Sequence, residues 1–151
     1  MTDVRHYLQL RFSGQVFLMP NLPDIVVEPR ENMLVEPKGQ AAARRSVQGA
    51  SWVAYALGPD WTPVPEGPWT RAVFLGIHGA RPVGLLVDDL KLLPAIGLRI
   101  EPFTPLGPAP VPGRNLFPGV EMRQGNPTLV LAADVLASYL HALEGNHGLG
   151  Q

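Results

Sequence analysis

The chain has 151 residues, a formal net charge of −1, 46% hydrophobic and 17% charged residues. That suffices for one domain with a proper core, and it carries no electrostatic footprint for nucleic acid or an anionic membrane. The absence of cysteine excludes disulfides, thiolate nucleophiles and cysteine-based zinc sites.

The N-terminal stretch MTDVRHYLQL is charged early and lacks the apolar run of a signal peptide, so a cytoplasmic location is expected. Residues 7–12 alternate: Leu8, Leu10 and Phe12 share one face, Gln9 and Arg11 the other. Period two predicts a half-buried strand. Ser13-Gly14 reads as a tight turn into a second strand over 16–19, and Ile25 to Val27 as a short third piece. Residues 28–50 carry Pro29, Pro37 and Gly39 among mixed charges and read as a long loop, either functional or a solvated excursion. Within it, Ala41-Ala42-Ala43-Arg44-Arg45 suits a helical turn.

Further strands are expected over 52–57 and 61–64, separated by Gly58-Pro59-Asp60, with a linker at 65–68. Residues 71–77 and 83–90 flank His78-Gly79-Ala80-Arg81 and form the clearest hairpin in the chain. The proline-rich stretch 94–119 leaves room only for a strand end near Ile100. A last hairpin joins 120–123 to 128–131. Only the end reads as helix, about 134–144, where Asp134 is a candidate cap, Leu136, Leu140 and Leu143 share a face, and Gly145 is a stop. A flexible tail over 145–151 is expected. Many short strands with one terminal helix predict a mainly β fold, barrel or sandwich, in a single domain over 1–151.

The chemistry-bearing residues form no constellation. Asp88-Asp89, if still in a strand, point to opposite faces and cannot share a site. His6, His78, His141 and His147 lie at no metal-ligand spacing, and no serine has a nucleophile-elbow context. Trp52, Trp61 and Trp69 could stack single-stranded nucleic acid on a small barrel, but that mechanism needs a basic groove, and only Arg44-Arg45 is clustered. Core or interface packing is the simpler role, with Trp61 or Trp69 as docking anchors.

The segment Arg81-Pro82-Val83-Gly84-Leu85-Leu86-Val87-Asp88-Asp89-Leu90 resembles the central signature of CheW-like domains, a strand of the form Val-Gly-hydrophobic-hydrophobic-Val-Asp. Upstream, the 8–19 hairpin followed by Ile25 to Glu28 resembles the family's opening. Downstream, Gly119-Val120-Glu121-Met122, the strand 128–131 and Asp134 into a helix resemble its close. The resemblance covers roughly residues 5–143. It implies two intertwined SH3-like five-stranded β-barrel subdomains with a C-terminal helix, no catalytic residue and no cofactor. It implies a non-catalytic adaptor that couples the cytoplasmic tip of chemoreceptors to the regulatory domain of a CheA-type histidine kinase, in chemotaxis or type IV pilus motility.

One departure stands out. The family's Asn-Leu-Arg-Gly is here Ala56-Leu57-Gly58-Pro59, so the arginine that commonly pairs with a glutamate at the position of Glu28 is replaced by Gly58 and leaves Glu28 without that partner. The resemblance implies partner-binding roles for Val73, Val83 and Gly84, with Glu28 and Trp61 as further candidates. Gly84 either lets a partner's backbone approach or accommodates barrel curvature. Gly84→Arg is expected to abolish partner binding and spare the fold in the first case, and to prevent folding in the second. Two other readings stay open: a small β-barrel binding nucleic acid or a small molecule, and a CheW-like module recruited outside chemotaxis.

Overall fold

The structure is a computed structural model that describes residues 4–35, 40–77, 80–104, 115–122 and 126–149. The alternation at the N-terminus forms β1 (His6–Phe12), with Leu8, Leu10 and Phe12 buried. Ser13 and Gly14, both left-handed at φ 54° and 74°, close a two-residue turn into β2 (Gln15–Pro20), pairing Phe12 with Gln15. β3 (Val26–Pro29) follows, then a short 3-10 turn (Arg30–Asn32).

The stretch expected to be a loop contains an edge strand, β4 (Ala43–Val47), which runs into β5 (Ala50–Leu57) through Gln48 and Gly49 at φ 49° and 82°. Ala43, Arg44 and Arg45 are therefore extended, not helical. The cross-strand ladder from Ala43↔Ala54 to Val47↔Ala50 supplies backbone hydrogen bonds that a single helical turn over 41–45 could not match. The strand expected over 61–64 shrinks to β6 (Pro63–Val64), because Trp61 is left-handed at φ 66°.

β7 (Arg71–Ile77) and β8 (Ala80–Val87) pair antiparallel, so Ala80 and Arg81 belong to a strand; His78 and Gly79, expected to form the turn with them, lie outside the described residues. The strand expected over 83–90 breaks at a bend on Asp88, after which β9 (Asp89–Pro94) joins the other sheet. β10 (Ile100–Pro102), β11 (Gly119–Glu121) and β12 (Thr128–Val130) precede the one helix among the described residues, α1 (Ala133–Leu149). The helix starts one residue before Asp134, so that carboxylate lies in the first turn and complements the helix dipole. It also runs through Gly145 to Leu149, where a flexible tail was expected; Gly150 and Gln151 lie outside the described residues.

The fold is mainly β, with a curled half-barrel sheet and one C-terminal helix. One six-stranded sheet has the order β10-β11-β12-β2-β1-β9; the other has β3-β7-β8-β5-β4, with β6 on β5. Each contains one parallel pair, β12 with β2 and β5 with β8. The second sheet is thus an insertion between β2 and β9 of the first, and α1 crosses back to pack on β7 and β8.

Both faces of the second sheet are covered. Val73 and Leu75 of β7, Val83, Leu85 and Val87 of β8, and Tyr55 and Leu57 of β5 join Leu8, Leu10, Phe12, Leu136 and Leu140 in the main core. The opposite face, with Ala54, Ala56, Ala72, Phe74 and Leu86, packs on Met33 and Trp69 in a second core. Burial on both sides explains why 72–75 and 83–87 read as continuous apolar runs without alternation. Leu136 and Leu140, fully buried, each contribute about 1.5–3 kcal/mol to holding the helix down.

Candidate functional site

The two sheets meet around a groove of about 340 Å³. Phe12 and the Ser13-Gly14 turn of the first sheet form one wall. Leu57, Gly58, Val64, residues 66–69, Leu86 and Asp88 form the other. Its floor is apolar, since Phe12, Leu57, Trp69 and Leu86 are all buried. Its rim is acidic: Glu66 is exposed and Asp88 half-buried, and no lysine, arginine or histidine among the described residues lines the groove.

Local hydrogen bonds set this geometry. The Asp88 N–H donates to the Arg11 carbonyl at 2.7 Å, and the Thr70 hydroxyl donates to the Asp88 carbonyl at 2.9 Å, pinning the junction where the chain changes sheets. Arg30 reaches over the back of the second core. Its guanidinium lies 4.3 Å from the Trp69 ring centroid, and Nη1 donates to the carbonyls of Trp69 at 2.9 Å and Gly67 at 3.2 Å. The Trp69 indole N–H, buried, meets no acceptor among the described residues. At the Gly58 end, Asp60 Oδ1 accepts from the Thr62 hydroxyl at 2.6 Å and the Thr62 N–H at 3.3 Å. The Thr62 hydroxyl bond above all holds the Asp60 carboxyl below the usual carboxylate range, so it is anionic at neutral pH.

Trp61 sits in an aromatic cluster with one part of its surface left open. Half-buried, it packs edge-on against Phe12 at 5.5 Å, Phe17 at 5.6 Å, Phe117 at 5.8 Å and Tyr139 at 6.4 Å between centroids. The Tyr139 hydroxyl donates to the Trp61 carbonyl, which ties α1 to the β5–β6 loop. Partial burial, reinforced by the Asp60 charge, raises the Tyr139 phenol above its ordinary range. The three tryptophans do not form one platform, because Trp52 and Trp69 belong to the second core and Trp61 to this cluster.

Of the residues singled out from sequence, Val73 and Val83 lie together on adjacent strands, but inside the main core. Val73 and Val83 have 0% exposure in the main core and offer a partner no side chain. Gly84 faces the opposite way: a Cβ there would stand 2.8 Å from Phe74 Cε1 and 2.9 Å from Ala54 Cβ. The glycine is required by its own neighbours, and the backbone it frees is covered by the Phe74 ring. Glu28 is not partnerless. Its Oε2 accepts from Arg45 Nε at 2.6 Å, so β4, the strand missed in the sequence, supplies its cationic partner. The groove itself escaped notice because its lining comes from positions 12 to 88; the one local signal was the turn-rich pair of loops 58–60 and 65–68.

A second depression of about 430 Å³ lies between the 3-10 turn and the β4–β5 hairpin, lined by Glu31, Leu34, Arg44 and Arg45. Arg45 there is already committed to Glu28. Among the described residues no three His, Asp or Glu side chains gather where they could hold a metal ion, and no helix is long and apolar enough to cross a membrane. No family model matches the sequence, and no curated protein matches it.

Proposed function

We propose that this chain is a CheW-like, non-catalytic cytoplasmic adaptor that couples chemoreceptors to a CheA-type histidine kinase, in chemotaxis or type IV pilus motility. The observation that carries the reading is the interleaved path. The opening hairpin and the closing β11–β12 pair lie in one sheet, and the Val83-Gly84 strand lies at the centre of a second sheet inserted between them. That is the order of pieces which two intertwined barrel subdomains would require. The Glu28–Arg45 pair adds support, because it keeps a charge-neutralised glutamate within the third strand despite Gly58. The nucleic-acid alternative gains nothing from the groove, whose carboxylate rim repels phosphate.

Titration calorimetry against the regulatory domain of the histidine kinase from the same organism tests the reading. Saturable one-to-one binding in the micromolar range or tighter is expected. No binding by protein shown to be folded would overturn the coupling role and leave a CheW-like scaffold serving another partner.

A further inference from the structure

We infer that the groove beneath the Ser13-Gly14 turn is a docking slot for a basic, apolar segment of a partner protein: an aliphatic side chain next to an arginine or lysine. This deepens the adaptor reading and rests on it, by naming the chemistry one of its surfaces selects. Three observations carry it. The floor is apolar and built from both sheets, through Phe12, Leu57, Val64, Trp69 and Leu86. The charged side chains that line it among the described residues, Glu66 and Asp88, have one sign, and neither forms an ion pair with another described residue, while Arg30 is spent behind the groove on the Gly67 and Trp69 carbonyls. Asp60 extends the acidic edge, with Oδ1 3.4 Å from where a Cβ on Gly58 would stand.

The slot is also accessible. A Cβ on Gly14 or Gly67 would meet nothing within 4 Å, so open space lies above both. At about 340 Å³ the cavity sits at the low end of ligand pockets, which run about 300–1,000 Å³, so it takes one or two side chains and not a helix face. Charge complementarity selects the occupant: a cation beside the anchoring side chain satisfies the rim, and an anion there is repelled.

The test uses the full chain, ¹⁵N-labelled, titrated with the capped tetrapeptide Ala-Leu-Arg-Ala and with its counterpart Ala-Leu-Glu-Ala. The backbone amides of Gly14, Gly58 and Gly67 and the Trp69 indole are followed. Saturable millimolar binding of the arginine peptide at these four positions is expected, at least five-fold weaker for the glutamate peptide. The combined change Glu66→Gln with Asp88→Asn should weaken the arginine peptide at least three-fold. Gly67→Leu, placed where the backbone has room, should block it while the rest of the spectrum keeps its dispersion. No saturable response at these positions, equal binding of the two peptides, or unchanged binding by Gly67→Leu overturns the slot. Kinase-domain binding without a peptide response sinks the slot and spares the adaptor reading; a peptide response without kinase-domain binding does the reverse.

Discussion

Replacing Gly84 by alanine inserts a methyl group 2.8 Å from Cε1 of Phe74 and 2.9 Å from Cβ of Ala54. Carbon atoms sit comfortably at about 3.5–4.0 Å, so one or both neighbours must retreat by about 0.7–1 Å. Neither has room: Phe74 and Ala54 are both 0% exposed, and Ala54 is fixed opposite Gly84 in the parallel β5–β8 pair. Overpacking of this kind costs about 1–3 kcal/mol. Against it, alanine restricts the unfolded chain and returns about 0.4–1 kcal/mol, since Gly84 is not in the left-handed region. The net expectation is a loss of about 1–2 kcal/mol, or about 2–8 °C in Tm for a chain of this size. Urea denaturation should show a lower midpoint at an unchanged slope. Adding Phe74→Leu should recover part of the loss, so that the double variant is more stable than the sum of the singles by about 1 kcal/mol. A Gly84→Ala protein as stable as the parent would refute the packing argument. By the same reasoning Gly84→Arg prevents folding, and its effect on partner binding would report nothing about an interface.

Glu28→Gln and Arg45→Met should each cost about 1 kcal/mol, with a double-mutant coupling of about 0.5–1.5 kcal/mol because the pair is partly buried and charge-assisted; denaturation of the four proteins that gives zero coupling would show the contact to be idle. Gln48→Asn should raise stability by about 0.5 kcal/mol, since asparagine tolerates the left-handed backbone at φ 49° better than glutamine; an unchanged or lower Tm would count against the two-residue turn. Thr62→Val should return the Asp60 carboxyl toward its ordinary value in an NMR titration, because the Thr62 hydroxyl is the main cause of its depression. The lowered value means that Asp60 binds its proton less readily folded than unfolded. Its contribution is therefore complete above about pH 4 and is lost as pH falls through the depressed value. A parent and a variant that titrate alike would remove the bond from the account.

Much of the β architecture was legible residue by residue. The alternation of Leu8, Leu10 and Phe12, the Ser13-Gly14 turn and the apolar face of Leu136 and Leu140 are local patterns, and each produced the expected element. Local signals also existed for what was missed. Gln48-Gly49 lies between two extended runs, but Arg44, Arg45 and Ser46 give β4 no apolar alternation, as befits a charged edge strand. Beyond these patterns the sequence is silent, because the deciding contacts join distant positions. The break at Asp88 follows from a backbone hydrogen bond to Arg11, the need for Gly84 from the ring of Phe74 and the methyl of Ala54, and the partner of Glu28 from a strand 17 residues away. The sequence alone determined the β1–β2 turn, the alternating strand β1 and the presence of the C-terminal helix, because each depends on neighbours at most three or four residues off. Only the tertiary structure decided which faces are buried twice and which carboxylates share a rim, because both arise where the inserted sheet meets its host.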